Sequence, residues 1–395
     1  MESQNLRILV INYEYPPIGG GGGVICRDIS EEISQMGHQV TVVTSEFHGL
    51  PKNEIINGVR IIRVPVALRN KQNVASFPSM LSYVPLSILK VKRLLKNESF
   101  DIINTHFAIP SGPAGNFISK KYGIPNVLSI HGGDIFDPSK FISPHKTIGL
   151  RETVRRMILN ADRVIAQSSD TKRNATNLYN IQRNIDIIPL GIKPNNFGNK
   201  IRRELGLSEG KIILVTVGRL IARKNLEEML QIMSRIKKDF SYELIIIGDG
   251  PAKEPLQQSI KDLGLSNEVK LLGRINEELK FQYLGCSDIY LSTAIHEGFG
   301  IVFLEAMECG LPIICYDRGG QVDFLKNDET GYLIKLNDKD SFYNNLKIML
   351  TDADARKKIS LLNRQLVKKF YINNIAKQYL QIFKEAITTK KKYET

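Results

Sequence analysis

Short apolar, β-branched runs alternate with longer stretches of helical periodicity along almost the whole chain. In the first half the runs are "ILVIN", "QVTVVTS", "VRIIRVPV", "FDIINTH", "NVLSIHG", "RVIAQS" and "NIDIIPLG". In the second half they are "KIILVTVGRL", "ELIIIGDGP", "VKLLGR", "DIYLST", "LPIICYD" and "TGYLIKL". Continuous apolar strands separated by helices predict parallel sheets covered on both faces. The pattern restarts near residue 211, after "PLGIKPNNFGNK" (Pro189–Lys200), whose Pro, Gly and Asn content marks a linker. The expected architecture is α/β, with two doubly wound, Rossmann-like parallel-sheet domains facing across a cleft. They occupy residues 1–190 and 201–370, with 191–200 between them. Ligands of open parallel sheets bind outside the carboxyl ends of the strands, so functional motifs are expected just after strands.

Composition adds bounds rather than detail. The 395 residues are 42% hydrophobic and 24% charged, an ordinary globular balance with chain enough for two cores. No run approaches 18 uninterrupted apolar residues, so no transmembrane helix is expected. The N-terminus enters the strand "RILVIN" without the pattern of a secretory leader. Cys26, Cys286, Cys309 and Cys315 form no C-x-x-C pair, which argues against zinc or a disulfide framework and fits a reducing cytosol. The net charge of +13 is uneven. Residues 1–200 carry 24 basic and 15 acidic side chains, residues 201–350 carry 19 and 22, and residues 351–395 carry 11 and 4. The excess in the first half and the tail fits an anionic partner on one side, or solubility alone.

Gly19 to Gly23 follow the first strand as "GGGGG". A dinucleotide fingerprint needs G-x-G-x-x-G tightly after the strand. Here Tyr13 to Ile18 intervene and the third glycine falls on Val24 or Ile25. A nicotinamide enzyme is therefore not expected, and neither is any cofactor. Consecutive glycines still expose backbone N–H groups and let a ligand approach; a merely flexible loop is the rival reading.

The second half holds the denser chemistry. "VTVGRLIARKN" places Gly218 and Arg219 at a strand end, with Lys224 five residues on. A planar guanidinium and a compact ammonium suit a diphosphate. Arg223 and Lys224 stand before a helix, where cations are normally unfavourable, which favours an anionic ligand over a solvated basic turn. In "HEGFGIVFLE", Gly298 and Gly300 bracket Phe299, and the helix is expected to begin near Gly300. A glycine-lined helix N-terminus is an anion site. Glu297 lies just outside it, and Glu305 about 7–8 Å along the helix at 1.5 Å per residue. The rival readings are a charge favouring the helix N-terminus for Glu297 and a solvated helix position for Glu305.

This set resembles the GT-B-fold glycosyltransferases, specifically the retaining enzymes of glycosyltransferase family four. Their hallmark is two glutamates separated by seven residues, here Glu297-GFGIVFL-Glu305. "YPPIGGGGGV", "MGHQVTVVT", "SIHGGDIF", "IPLGI", "GRLIARKN", "IIIGDGP", "LLGRI", "EGFGIVFLEAMECGLPII", "DRGGQVDF" and "TGYLI" follow in family order across nearly the whole chain. Leu190, Asp323 and His296 depart from the residues usual at their places.

The resemblance implies transfer of a sugar from a nucleotide diphosphate donor, UDP- or GDP-linked, with retention of the anomeric configuration. The leaving diphosphate would be stabilised by Arg219, Lys224 and the helix N-terminus at Phe299, Gly300, Ile301 and Val302. With fixed positive groups in place, no metal is expected. Glu297 would hold the donor sugar and Glu305 the ribose. Arg274 in "LLGRI" would lie near the base, with Gly218 beside the phosphates. His131 would reach the transferring sugar from the first domain, and Gly20 and Gly21 would lie near diphosphate and acceptor. The first domain is implied to bind the acceptor and the second the nucleotide sugar, with residues 371–395 a helix crossing back to the first. His106, in "NTHFA", is either structural or acceptor-lining, and Asp134 is a candidate polar contact. His38 reads as structural, His48 and His145 as surface residues.

The segment Ala75–Asn97 joins Phe77, Met80, Leu81, Tyr83, Leu86 and Leu89 to Lys90, Lys92, Arg93 and Lys96. Apolar surface followed by a basic cluster fits attachment to anionic lipid, against the plainer reading of a core-facing helix with a solvated end. The expected partners are a nucleotide-sugar donor, a glycan or lipid-linked saccharide acceptor and an anionic membrane surface, with no nucleic acid. The expected location is cytoplasmic, peripheral on the inner face of the cell membrane. The rivals are transfer to a small soluble acceptor and a non-catalytic GT-B protein binding glycan or nucleic acid. An epimerase or a phosphorylase matches the motif set less well.

Overall fold

A computed structural model describes residues 5–72, 75–138, 143–195 and 201–394. The chain forms two compact units, Met1–Gly191 with Ile372–Thr395 and Ile192–Tyr371. Residues 196–200 of the expected linker lie outside the described residues.

The first unit carries an eight-stranded sheet. Its strands are β1 (Arg7–Ile11), β2 (Gln39–Ser45), β3 (Asn53–Ile56), β4 (Val59–Val64), β5 (Ile102–His106), β6 (Asn126–Ile130), β7 (Arg163–Ala166) and β8 (Asp186–Ile187). They lie in the order β3-β4-β2-β1-β5-β6-β7-β8, and every pair is parallel except β3 with β4. Each apolar run in this half became a strand. The strand the pattern missed is β3, "NEII", a mostly exposed edge whose half-polar sequence carries no buried-strand signal. Leu9, Ile11 and Val43 pack against Tyr83, Val91 and Ile118 of the helices Phe77–Leu94 and Gly112–Tyr122. The terminal helix Ile372–Glu394 packs on the helix Gly21–Gln35, burying Ile375, Tyr379, Phe383 and Ala386.

The second unit has a six-stranded, all-parallel sheet. Its strands are β9 (Ile212–Val217), β10 (Tyr242–Ile247), β11 (Val269–Gly273), β12 (Ile289–Ser292), β13 (Ile313–Tyr316) and β14 (Gly331–Ile334). Their order, β11-β10-β9-β12-β13-β14, is the doubly wound arrangement. The chain runs outward from β9 in one direction and then from β12 in the other. The crevice at the carboxyl ends of β9 and β12 is therefore the switch point where such sheets bind ligands.

Candidate functional site

In the second unit both strands at the switch point end in functional segments. After β9 come Gly218 and Arg219, then a short 3-10 turn, Ala222–Lys224. After β12 the loop leads through Glu297 to the helix Ile301–Glu308, capped by Gly300 at φ 84°. The two segments are zipped together. The Ile295 N–H donates to the Arg223 carbonyl at 3.0 Å, and Thr293 Oγ1 donates to the Asn225 carbonyl at 2.9 Å.

Glu297 sits at the centre of this assembly and is buried. Lys224 Nζ donates to its Oε1, and Arg223 Nη1 to its Oε2 at 3.0 Å. Arg223 also donates to the His296 carbonyl. Burial pushes the Glu297 pKa up, but Lys224 and then Arg223 outweigh it and hold the carboxyl at about 2. The basic turn before the helix thus has a reason to exist even without a ligand.

A third loop, after β13, fixes the Glu297 backbone. The Glu297 N–H donates to the Arg318 carbonyl at 3.2 Å and the Gly320 N–H to the Glu297 carbonyl at 2.7 Å. Gly319, at φ 125°, lies so close that a Cβ there would stand 1.9 Å from the Glu297 oxygen. The first of the paired glycines in "DRGGQVDF" is thereby explained by close approach.

The other expected donor-side residues fall as follows. Gly218, Arg219 and Lys224 line one pocket together with Ser292. A Cβ on Gly218 would lie 3.1 Å from the Lys224 ammonium. Arg219 and Arg274 are exposed at the ends of β9 and β11, and neither makes an ion pair among the described residues. The Phe299 side chain is buried, its ring centre 5.0 Å from that of Phe324, so only its main chain is available to a ligand. Ile301 and Val302 open the helix, where N–H groups lack intrahelical partners. Glu305 Oε1 accepts a hydrogen bond from Lys280 Nζ at 2.8 Å. Lys280, on the helix Glu277–Gly285, is buried and also donates to Glu277 Oε2 at 2.8 Å. Burial would lower its pKa; Glu305 and Glu277 more than compensate and raise it. Nothing in the sequence marked Lys280, because its partner lies 25 positions away.

In the first unit the structure brings His106, His131 and Asp134 together. His106 is only 1% exposed, and both of its ring nitrogens are engaged. Asn104 Nδ2 donates to the Val127 carbonyl at 3.1 Å, so its Oδ1 faces His106 and accepts from Nε2–H at 2.8 Å. His106 Nδ1 must then accept from His131 Nε2–H, at 2.9 Å. This logic fixes both tautomers and leaves the lone pair of His131 on Nδ1. Burial lowers the His131 pKa to about 4, with Gln167 opposing, and holds that of His106 well below its ordinary value, with His131 adding to it. Asp134 accepts the N–H of His131 at 2.8 Å and of Ala108 at 2.7 Å. Of the two readings of His106, these contacts favour the structural one, and the polar contacts of Asp134 include the His131 and Ala108 main chain.

The glycine run is revised. Gly21 to Gly23 form the first turn of a helix rather than a loop. Gly20 is its cap, and its N–H donates to Glu14 Oε2 at 3.0 Å, a partner the sequence did not suggest. A Cβ on Gly20 or Gly21 would meet nothing within 4 Å, whereas one on Gly22 would stand 2.3 Å from the Phe107 ring.

The helix Phe77–Leu94 divides its apolar residues. Tyr83 points inward and donates to the Val43 carbonyl at 2.7 Å. Phe77 and Leu81 are 65% and 58% exposed, with Leu89, eight residues after Leu81, exposed as well. Lys92 lies 5.1 Å from the Phe117 ring. Among the described residues no helix is long and apolar enough to cross a membrane.

Comparison with known proteins agrees with this geometry. Residues 19–196 match the model of Glycosyltransferase Family 4, and residues 198–365 that of Glycosyl transferases group 1. The chain is 26% identical over 386 residues to N-acetyl-alpha-D-glucosaminyl L-malate synthase of Bacillus anthracis, covering 94% of this chain and 96% of that one. It is 26% identical over 371 residues to the UDP-Gal:alpha-D-GlcNAc-diphosphoundecaprenol alpha-1,3-galactosyltransferase of Escherichia coli, covering 89% and 90%. In fold it resembles the sucrose-phosphate synthase of Thermosynechococcus elongatus, with a TM-score of 0.84, 21% identity and coverage of 98% and 100%. The chain is a glycosyltransferase of GT-B fold and belongs to glycosyltransferase family 4.

Proposed function

We propose that this enzyme moves a sugar from a UDP- or GDP-linked donor to a glycan, glycolipid or lipid-linked saccharide in cell-surface polysaccharide or glycolipid synthesis, with retention of configuration. The observation that carries the reading is Glu297, an ionised carboxylate buried between two cations at the switch point of the second sheet. A carboxylate held in one orientation is suited to accept hydroxyl hydrogen bonds from a sugar. Lys224 has three N–H donors, so it can keep Glu297 and still take a phosphate oxygen. Arg219, Gly218 and the N–H groups of Gly300, Ile301 and Val302 complete a diphosphate site, and charge developing on the leaving group is stabilised there. These fixed groups supply what a divalent cation supplies elsewhere, and the reaction is proposed to need none. Arg274 is assigned to the base and Glu305 to the ribose.

On the first unit, His131 is assigned to the transferring sugar, with His106 and Asp134 as its supports. The open space above Gly20 and Gly21 supports a place for ligand there. The exposed stripe of Phe77, Leu81 and Leu89, followed by Arg93 and Lys96, supports peripheral attachment to an anionic bilayer. The E. coli relative is named for a diphosphoundecaprenol acceptor, which favours a lipid-linked substrate. The B. anthracis relative is named for L-malate, and this supports transfer to a small soluble acceptor as the second reading.

Thermal stabilisation and slow hydrolysis, screened over UDP- and GDP-sugars, test the donor. If no member of either set is bound or hydrolysed, the reading fails. The anomeric coupling constant of the product, read by NMR, decides between retention and inversion. Flotation with anionic vesicles at low salt tests the membrane surface, and absence of binding removes it.

A further inference from the structure

Lys280 is the buried ammonium that the donor site as proposed leaves without a task. It lies one turn into the helix Glu277–Gly285, which starts directly after the segment Arg274–Ile275–Asn276 at the end of β11. Asn276 caps that helix, its side chain accepting the Leu279 N–H at 2.8 Å and its carbonyl the Lys280 N–H at 3.0 Å. From this anchored position Lys280 Nζ reaches a different helix and donates to Glu305 Oε1 at 2.8 Å. On its other side it is held by Glu277 Oε2, also at 2.8 Å. A buried ammonium is costly unless it is paired, so its placement here needs both carboxylates. Glu305, in turn, sits on a helix turn of Val302, Phe303, Leu304 and Ala306. Apolar neighbours of this kind leave a carboxylate few ways to be oriented.

We infer that Lys280 is a positioning residue for ribose recognition: it takes one oxygen of Glu305, fixes the carboxylate plane, and ties the ribose contact to the base-side segment at Arg274. The inference rests on the proposal that Glu305 accepts hydrogen bonds from the ribose. A carboxylate that is free to rotate accepts a diol poorly, because each hydroxyl must find an oxygen that is not fixed in place. A carboxylate with one oxygen on Lys280 presents a defined set of lone pairs instead. Because Lys280 and Arg274 share one short segment, a movement of that segment by a bound base is transmitted to Glu305. The expected consequence is that discrimination between ribose and deoxyribose depends on a residue that touches neither.

The test is binding of UDP and GDP and of their 2′-deoxy counterparts, measured by calorimetry on the full chain. The wild type is expected to prefer the ribonucleotide by about tenfold to a hundredfold, the usual weight of hydrogen bonds to a charged group. In Lys280→Met that ratio is expected to fall to about threefold or less, while affinity for the 2′-deoxy nucleotide stays within about threefold of wild type. General loosening of the unit weakens both nucleotides alike and leaves the ratio intact, so that result overturns the inference. A wild type with no ribose preference overturns the role of Glu305, and the inference with it. A wild type that discriminates beside a Lys280→Met that discriminates equally overturns the inference alone. Lys280→Arg provides the variant least disturbing to folding, since the charge is kept; it is expected to lower the ratio at least threefold, and an unchanged ratio counts against the proposal. Glu277→Gln, at a largely exposed partner, is expected to lower the ratio less than either.

Discussion

The second unit buries a carboxylate between two cations, and the first unit buries two imidazoles with none. Glu297 is charged and compensated; His106 and His131 are neutral and hydrogen-bonded in series. Both arrangements pre-orient a polar group at the end of a parallel strand, but they respond differently to perturbation. The ion-paired site is strong as long as every partner is present, and removing one leaves a buried charge. The neutral site carries less Coulomb energy and depends on tautomer and orientation. One unit is therefore tuned by charge and the other by proton position.

The largest expected effect breaks the ion-paired side. Glu297→Ala should lower turnover by a factor on the order of 100 to 1,000, the range seen when one fixed electrostatic group is lost. Transfer by a folded variant, assayed with whichever donor stabilises the wild type, checks this, and unchanged transfer refutes the assignment. Lys224→Met should cost about 3 kcal/mol in urea unfolding, because Glu297 is left with Arg223 alone. Asp134→Asn, beside the imidazole pair, should cost less, about 1–3 kcal/mol, since one of two main-chain N–H groups loses its acceptor oxygen. A cost at Asp134 above that at Lys224 would invert the comparison.

Acidification sharpens it further. The folded pKa of His131 is lowered to about 4 from an unfolded value near 6.5. Between those values the unfolded chain binds more protons, so the first unit should lose stability as pH falls from about 6.5 to about 4. The slope is at most about 1.4 kcal/mol per pH unit for each histidine. Glu297 follows the same sign in a lower pH window. Its folded pKa is held at about 2, so its contribution is complete above about 4.5 and is lost only as pH falls toward 2. Hydrogen exchange at pH 7 and pH 5 should show loosening at residues 102–108 and 126–134 before residues 289–300. Equal loosening in both units would count against the distinction. The smallest expected effect is none: a chelator should leave the transfer rate unchanged.

Much of the fold was readable because parallel strands buried on both faces announce themselves as unbroken apolar runs. β3 escaped because an exposed edge has no such requirement. The hallmark glutamates were readable as a pair, but the residues that hold them were not. Lys280 reaches Glu305 across 25 positions and Arg223 reaches Glu297 across 74, distances at which no local pattern survives. For His106 and Asp134, which follow strands, the sequence leaves a structural and a ligand-lining role both open. Position after a strand tells that a side chain is near the sheet's carboxyl edge, but not whether it faces out or stands behind a neighbour. The segment Ala75–Asn97 shows the same limit, since Tyr83 takes the inward side of a helix whose outward side carries Phe77, Leu81 and Leu89.

The terminal helix Ile372–Glu394 is part of the first unit, so that unit is made from both ends of the chain. Its consequence lies in synthesis. A ribosome delivers residues 192–371 in full before it delivers the helix that buries Tyr379 and Phe383 against the first unit's own core. The glycosyltransferase half translated second can therefore finish folding first, while the half translated first waits with an apolar face open. A nascent chain stalled or clipped before residue 372 should behave as a chaperone client through its N-terminal half, although the missing residues are all C-terminal.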